Sequence, residues 1–178
     1  MQLQALAVND PRVAQSLAFA LQATLPYLLN RAGVRIGASF SEEIKRYRLN
    51  LPEWRILAVL AARSDPSLTE LAEQTSIELS TLSRLVTTMQ RRRLVARRPS
   101  GADARSIAIR ITPAGRELVG RVIPLAELYE RIALAGVDPA EVALLKRLLV
   151  RIYENIGALA KPRRARARAA TISMESSA

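Results

Sequence analysis

A chain of 178 residues, 49% of them apolar, is long enough to bury a core as one compact domain with at most a docking extension, and no apolar run reaches the ~18 residues of a membrane span. With no cysteine and no histidine it has no disulfides, no thiolate chemistry and neither of the commonest metal and general-base side chains, which speaks against an enzyme and predicts no cofactor and no metal. The net charge of +11 points instead to a polyanion, because each phosphate neutralised releases condensed counterions.

Taken in chain order, Asn9-Asp10-Pro11 reads as a cap with proline at the first helical position, opening a helix to about Thr24. Pro26 breaks or kinks that run. A long helix over 27–47 follows, with Leu28, Ala32, Ile36, Phe40 and Ile44 at intervals of one turn. Pro52 opens another helix whose apolar stripe is Trp54, Leu57, Ala58 and Ala61, and Ser64-Asp65-Pro66 ends it. Two short helices come next, over 69–75 and 80–92, joined by a turn around Ile77. In the second, Leu82, Leu85, Val86 and Met89 form an inner face, while Thr81, Arg84, Thr88 and Arg91 fall on the outer one. Two short helices around a buried turn residue are the helix-turn-helix pattern.

Residues 94–98 read as a strand, and Ile107, Ile109 and Ile111 alternate as a second, half-buried strand should. The loop 99–104 between them completes a wing. Thr112-Pro113 caps a long helix to about Ala135, with a bend expected at Pro124. Asp138-Pro139-Ala140-Glu141 has the form of a capping box for a last helix, whose core face is Val142, Leu145, Leu148, Leu149, Ile152, Ile156 and Leu159. The tail 161–178, rich in Arg, Ala and Ser, is expected to be disordered. The N-terminus lacks a basic segment followed by an apolar core, so a cytoplasmic protein is expected. The basic residues are clustered: eight arginines against one acid, Asp103, between Arg84 and Arg110, and five basic residues between Lys161 and Arg168.

On these residues the chain resembles the multiple-antibiotic-resistance regulator (MarR) family of bacterial transcription factors, from about Tyr27 to Leu159. Its most specific fragments are Asp103-Ala104-Arg105 and Ile111-Thr112-Pro113-Ala114-Gly115, followed by Leu71-Ala72-Glu73 and the run from Ser80 to Val86. Members commonly carry glycine after the recognition helix, where this chain reads Arg92-Arg93-Leu94-Val95. If that position needs a positive φ, Arg93 is strained there.

The expected architecture is mostly α (α+β), a winged helix-turn-helix with a small β-hairpin wing and long N- and C-terminal dimerisation helices. Residues 1–50 would dimerise, 51–112 bind DNA, 113–160 complete the dimer and 161–178 form the basic tail. The resemblance implies a homodimer, and the terminal helices independently carry more apolar surface than a small winged helix covers. A two-fold dimer presents its recognition helices to major grooves about 34–36 Å apart, so the double-stranded DNA operator should be an imperfect palindrome.

Ser80 is expected as N-cap of the recognition helix. Thr81, Ser83, Arg84 and Thr87 are candidates for base edges or phosphates, Arg84 by a bidentate bond to guanine or as a phosphate clamp. Arg91, Arg92, Arg97 and Arg98 contact phosphates or stay solvated. The resemblance places Arg105 at the minor groove, where negative potential is concentrated, with Asp103 orienting it; a plain surface ion pair is the alternative. It also implies a repressor released by a small aromatic carboxylate or lipophilic ligand, for which Arg31, Arg35, Phe40, Tyr47 and Trp54 are candidates, unless the aromatics are simply core. A winged helix without an effector, or a protein-interaction module, remains open.

Overall fold

The computed structural model describes residues 21–63, 65–99 and 107–175, from 158 onward as backbone alone. They divide into two units, 1–133 and 134–178. Of the helix expected from Asn9, only the last turn, 21–23, falls among the described residues, and the chain leaves it at Thr24. Helix α1, Leu25–Ile44, starts there with Pro26 in its first turn, where the missing N–H has no intrahelical partner to lose. A 3₁₀ turn, Lys45–Tyr47, then α2 (Leu51–Ala62), α3 (Leu68–Thr75), α4 (Leu79–Arg91), β1 (Val95–Pro99), β2 (Ile107–Ile111) and α5 (Pro113–Ala133) complete the first unit. Among the described residues no helix is long and apolar enough to cross a membrane.

The core is formed where α1, α2 and α5 meet the helix-turn-helix. Ile44, Ile56, Leu57, Leu71, Leu82, Val86, Met89, Ile109 and Val122 are fully enclosed. Two expected stripes shift. In α1 only Phe40 and Ile44 are buried, and Leu28 and Ile36 are 51% and 43% exposed, so one spacing runs from core to open surface. In α2 the buried residues are Glu53, Ile56, Leu57 and Leu60, not Trp54, Ala58 and Ala61, which are half-buried. A charged residue on the inner face hid the true stripe from an apolar reading.

The α3 start is a capping box: the Ser67 side chain accepts from Glu70 N, and the Glu70 carboxylate accepts from Ser67 N. β1 and β2 pair antiparallel with Val95 opposite Ile111 and Pro99 opposite Ile107. Ile109 N donates to Pro66 O at 2.8 Å and Ser67 bridges Ala108, adding a third edge to the hairpin. That edge covers Ala108, whereas Ile107 is 55% exposed, so the expected isoleucine alternation ends before the wing tip.

The junction of α4, β1 and α5 is tightly built. Arg93 N donates to Gln90 O and Leu94 N to Met89 O, a Schellman closure of α4. It places Arg93 at φ 58, the left-handed region in which only glycine is unstrained. The Thr112 hydroxyl donates to Arg93 O at 2.6 Å and accepts from Gly115 N at 3.0 Å, capping α5. A Cβ on Gly115 would lie 2.2 Å from Leu94 O and 2.9 Å from Ile111 Cγ1, so no side chain fits.

The second unit is α6, Pro139–Glu175. Asp138 Oδ1 accepts from Ala140 N at 2.7 Å, and Asp138 N donates to the Glu141 carboxylate, so Asp138 caps the helix with the side-chain half of a capping box from Glu141. The tail is a correction: residues 161–175, expected to be disordered, continue the helix. Its alternating Arg and Ala are strong helix formers, which outweighs its terminal position. Of the expected core face, Val142, Leu149 and Ile152 are half-buried, and Leu145, Leu148 and Ile156 are 44%, 44% and 63% exposed.

Two substitutions at the α4–α5 junction should act in opposite directions in urea unfolding. Gly115→Ala should destabilise by about 1–3 kcal/mol, the range for forcing atoms into a packed site. Arg93→Gly should stabilise by about 0.5–1 kcal/mol, the left-handed strain relieved exceeding the chain entropy glycine adds.

Candidate nucleic-acid interface

The α4 helix has a sharp division of faces. Leu82, Val86 and Met89 are wholly buried, Leu85 is half-buried, and Thr81, Arg84, Thr88 and Arg91 are exposed. The expected outer face therefore stands clear of the core it is anchored to. Ser80 is exposed but does not cap the helix as expected. Glu78 caps it, accepting from Ser80 N and Thr81 N at 3.0 Å each and from the Ser80 hydroxyl. Serine usually outranks glutamate as a cap, which is why the sequence pointed to Ser80. The Ser80 hydroxyl and the two backbone bonds hold the Glu78 carboxyl down from 4.5 to about 2.

Several expected DNA residues are tied into the protein. Arg97 Nη2 donates to Thr87 Oγ1 at 3.1 Å and reaches Ser83 O at 3.5 Å, and the Thr87 hydroxyl donates to Ser83 O at 2.9 Å. Arg97, Thr87 and Ser83, all half-buried, thus fasten the first wing strand to the flank of α4. Arg92, expected at a phosphate or in solvent, is a correction. It donates to the buried carboxylate of Glu53 at 3.0 Å and to Arg48 O at 2.6 Å. Arg98 is exposed on β1. Asp103 and Arg105 lie outside the described residues.

At the wing root Arg110 grips Asp65 with two bonds, one from Nε at 2.8 Å and one from Nη2. This hydrogen-bonded guanidinium lowers the Asp65 carboxyl below its ordinary value. Sequence reasoning missed the pair, since 45 residues separate partners that periodicity does not connect. Asp65 itself sits at φ 51, a left-handed position that aspartate tolerates better than most residues.

The five effector candidates do not converge. Phe40 is buried and meets Trp54 and Tyr129 edge-on, with ring centroids 5.8 and 5.9 Å away. Tyr129 was missed, being a lone aromatic on a helix assigned to dimerisation. Tyr47 lies under Arg46 and Arg121, at 5.2 and 5.4 Å. Arg31 stacks on Tyr27 at 5.5 Å. At about 100° per residue Arg31 points away from Phe40 on the opposite side of α1, and Arg35 is well off the Phe40 face. Both are exposed.

A helix pair with an exposed polar face, followed by a hairpin rooted beside it, defines a winged helix-turn-helix DNA-binding protein. The MarR family model matches residues 49–106. The transcriptional repressor IacR of Pseudomonas putida is 30% identical over 75% of this chain and 80% of its own length. BpsR of Bordetella bronchiseptica, whose DNA binding is regulated by 6-hydroxynicotinic acid, is 28% identical, with a TM-score of 0.67 over 74% of this chain and 94% of that one. A MarR-family regulator from Silicibacter pomeroyi is 29% identical, with a TM-score of 0.71 over 79% and 94%. The chain belongs to the MarR family and is a DNA-binding transcriptional regulator, not an enzyme.

Acid should loosen the first turn of α4 through Glu78. Its folded-state value is depressed, so the stability it contributes is present above the unfolded value of 4.5 and is lost as the pH falls through about 2. Urea midpoints measured from about pH 7 down to about pH 3 should fall, and Glu78→Gln, which retains an acceptor but does not titrate, should flatten that fall.

Proposed function

We propose that the protein is a homodimeric repressor whose two α4 helices read an imperfect palindrome in adjacent major grooves, with a small aromatic carboxylate as releasing ligand. The observation that carries the DNA reading is the exposed face of α4, where Thr81, Arg84, Thr88 and Arg91 project from a helix whose other side is fully buried. Arg84 is the base reader, its planar fork matching guanine O6 and N7. Arg91 and Arg98 contact phosphates, and Arg105 enters the minor groove from the wing with Asp103 orienting it. Ser83, Thr87 and Arg97 hold the wing against α4 rather than touching DNA themselves.

Dimerisation is supported by apolar surface that stays exposed among the described residues of each unit. Leu25, Leu28, Val34 and Ile36 on α1 are 43–62% exposed, and Leu144, Leu145, Leu148, Val150, Tyr153 and Ile156 on α6 are 44–65% exposed. Apolar patches on this scale mark association surfaces.

For the effector, BpsR supplies the precedent of a hydroxylated aromatic carboxylate. In this chain half-buried Trp54 and Tyr129 offer ring edges, and Arg46 and Arg121, already over Tyr47, offer guanidinium groups for the carboxylate. Trp54 directly follows Glu53, whose carboxylate holds Arg92 at the end of α4. A ligand that favours a different seat for the first turn of α2 therefore shifts the population of α4 positions. The buried, edge-packed Phe40 favours a second reading, in which the aromatic group is core and the regulator has no effector.

Fluorescence anisotropy on a fragment of the protein's own promoter region tests both parts. Arg84→Ala should weaken competitor-resistant binding by about 10- to 100-fold, while retained affinity would remove α4 as the reading element. Trp54 is the only tryptophan, so 6-hydroxynicotinic acid or benzoate should change its emission and release the DNA together. Unchanged emission with unchanged DNA affinity favours the effector-free reading.

A further inference from the structure

The first turn of α4 sets a hydrogen-bond polarity that the helix face alone does not reveal. Glu78 is an acid immediately ahead of the side chains that face DNA, and it is fully solvent-exposed. Its carboxyl is held at about 2, so near neutral pH it has no proton and only accepts. It accepts from Ser80 N, from Thr81 N and from the Ser80 hydroxyl.

A serine hydroxyl has one proton and two lone pairs. That proton is committed to Glu78, so Ser80 Oγ presents only lone pairs outward. Thr87 is engaged still further: its proton goes to Ser83 O, and Arg97 Nη2 occupies a lone pair. Ser80 is thus an exposed hydroxyl of α4 with an acceptor-only polarity; the neighbouring Thr81 hydroxyl also bonds the Glu78 carboxyl, as the weakest of its partners.

Phosphate oxygens have no proton to give, and Glu78 repels them. In the major groove, guanine N7 and O6 and thymine O4 are acceptors, whereas only cytosine N4 and adenine N6 donate. An acceptor-only Ser80 can therefore pair with an amino base and with no other group on the DNA surface there. Arg84, a donor only, stands four residues on, about 6 Å along the helix. That distance is one to two base steps of about 3.4 Å.

We propose that Ser80 is a specificity-determining residue that reads the exocyclic amine of an adenine or cytosine in each half-site, and that Glu78 is the positioning residue that fixes its polarity. The inference rests on the reading of α4 as the helix in the major groove. It makes α4 an ordered pair of opposite readers, an acceptor in the first turn and a donor in the second.

The test replaces groups on the DNA, where folding of the protein does not intervene. Selection from a random double-stranded library defines the preferred site. Each adenine in it is then replaced by purine, and each cytosine by its 4-deamino analogue, and binding is measured for wild type and Ser80→Ala. At one position per half-site, loss of the amine should weaken wild type about 3- to 10-fold and Ser80→Ala under about twofold. Glu78→Ala releases the Ser80 proton and should shift the preference there toward thymine or guanine, with a thermal melt recording the lost cap separately. A scan in which no amine distinguishes wild type from Ser80→Ala overturns the proposal. So does a Glu78→Ala protein that is less stable but keeps its base preference, since Glu78 would then be only a cap. Arg84→Ala separates the two levels. If that variant keeps site-specific affinity, the major-groove reading of α4 fails and this proposal with it; if it loses affinity while the amine scan is flat, this proposal alone fails.

Discussion

Three residues at the end of α4, Arg92 to Leu94, join nearly every element of the first unit. The Arg92 side chain reaches back to Glu53 in α2 and to Arg48 O beyond α1. Arg93 takes the left-handed turn that closes the helix, and its carbonyl and that of Leu94 receive the Thr112 hydroxyl at the entry to α5. Leu94 O also accepts from Thr112 N and lies where any side chain at position 115 would have to go. The angle at which α4 leaves the core is thus fixed from two sides by bonds too short to slide. A buried carboxylate beneath Arg92 makes the arrangement strict, because an unpaired charge at Glu53 is far costlier than an unpaired surface group.

This junction also explains the fragment Ile111-Thr112-Pro113-Ala114-Gly115 in physical terms. Ile111 fills the core behind the wing, Thr112 caps α5 while gripping the α4 turn, Pro113 begins the helix without needing a donor, and Gly115 gives Leu94 O its space. Arg93 sits at φ 58, where glycine would be unstrained and any other side chain costs strain. The turn survives because the contacts on either side over-determine it.

The helix-turn-helix and the wing were legible because burial there follows the two simple periods, as at Leu82, Val86 and Met89 or at Ile109 and Ile111. Legibility failed where a polar group does structural work through a partner outside its own turn or against the usual cap preference, whereas the caps at Thr112 and Asp138 were readable. Glu53 lies on the inner face of α2, Glu78 replaces the expected serine cap, and Asp65 and Arg110 pair across 45 residues. Each depends on a partner that the local pattern does not name. Among the effector candidates Phe40 and Trp54 meet, whereas Arg31 lies on the side of α1 opposite Phe40, a matter of helical phase that residue type alone does not give. In the tail, a terminal position and an Arg-, Ala- and Ser-rich composition point to disorder, whereas the Arg and Ala residues themselves are good helix formers and α6 runs through them to Glu175.

Charge along the chain likewise overstates the surface available to DNA. Between Arg84 and Arg110 the sequence holds eight arginines, but Arg92, Arg97 and Arg110 are bonded to Glu53, Thr87 and Asp65. Each is a side chain that would otherwise count as a phosphate contact. At about 0.9 in the logarithmic salt slope per phosphate, withdrawing three lowers the electrostatic share by roughly three per chain. The arginines left on the outer surface of α4 and β1, Arg84, Arg91 and Arg98, project from elements that the other three tie to the rest of the unit. Internal use of arginine thus gives up nonspecific attraction and ties down the backbone from which the outer three project. Rigidity is the property on which discrimination between base edges depends, since a bidentate fork is selective only when its backbone cannot move to suit the wrong base.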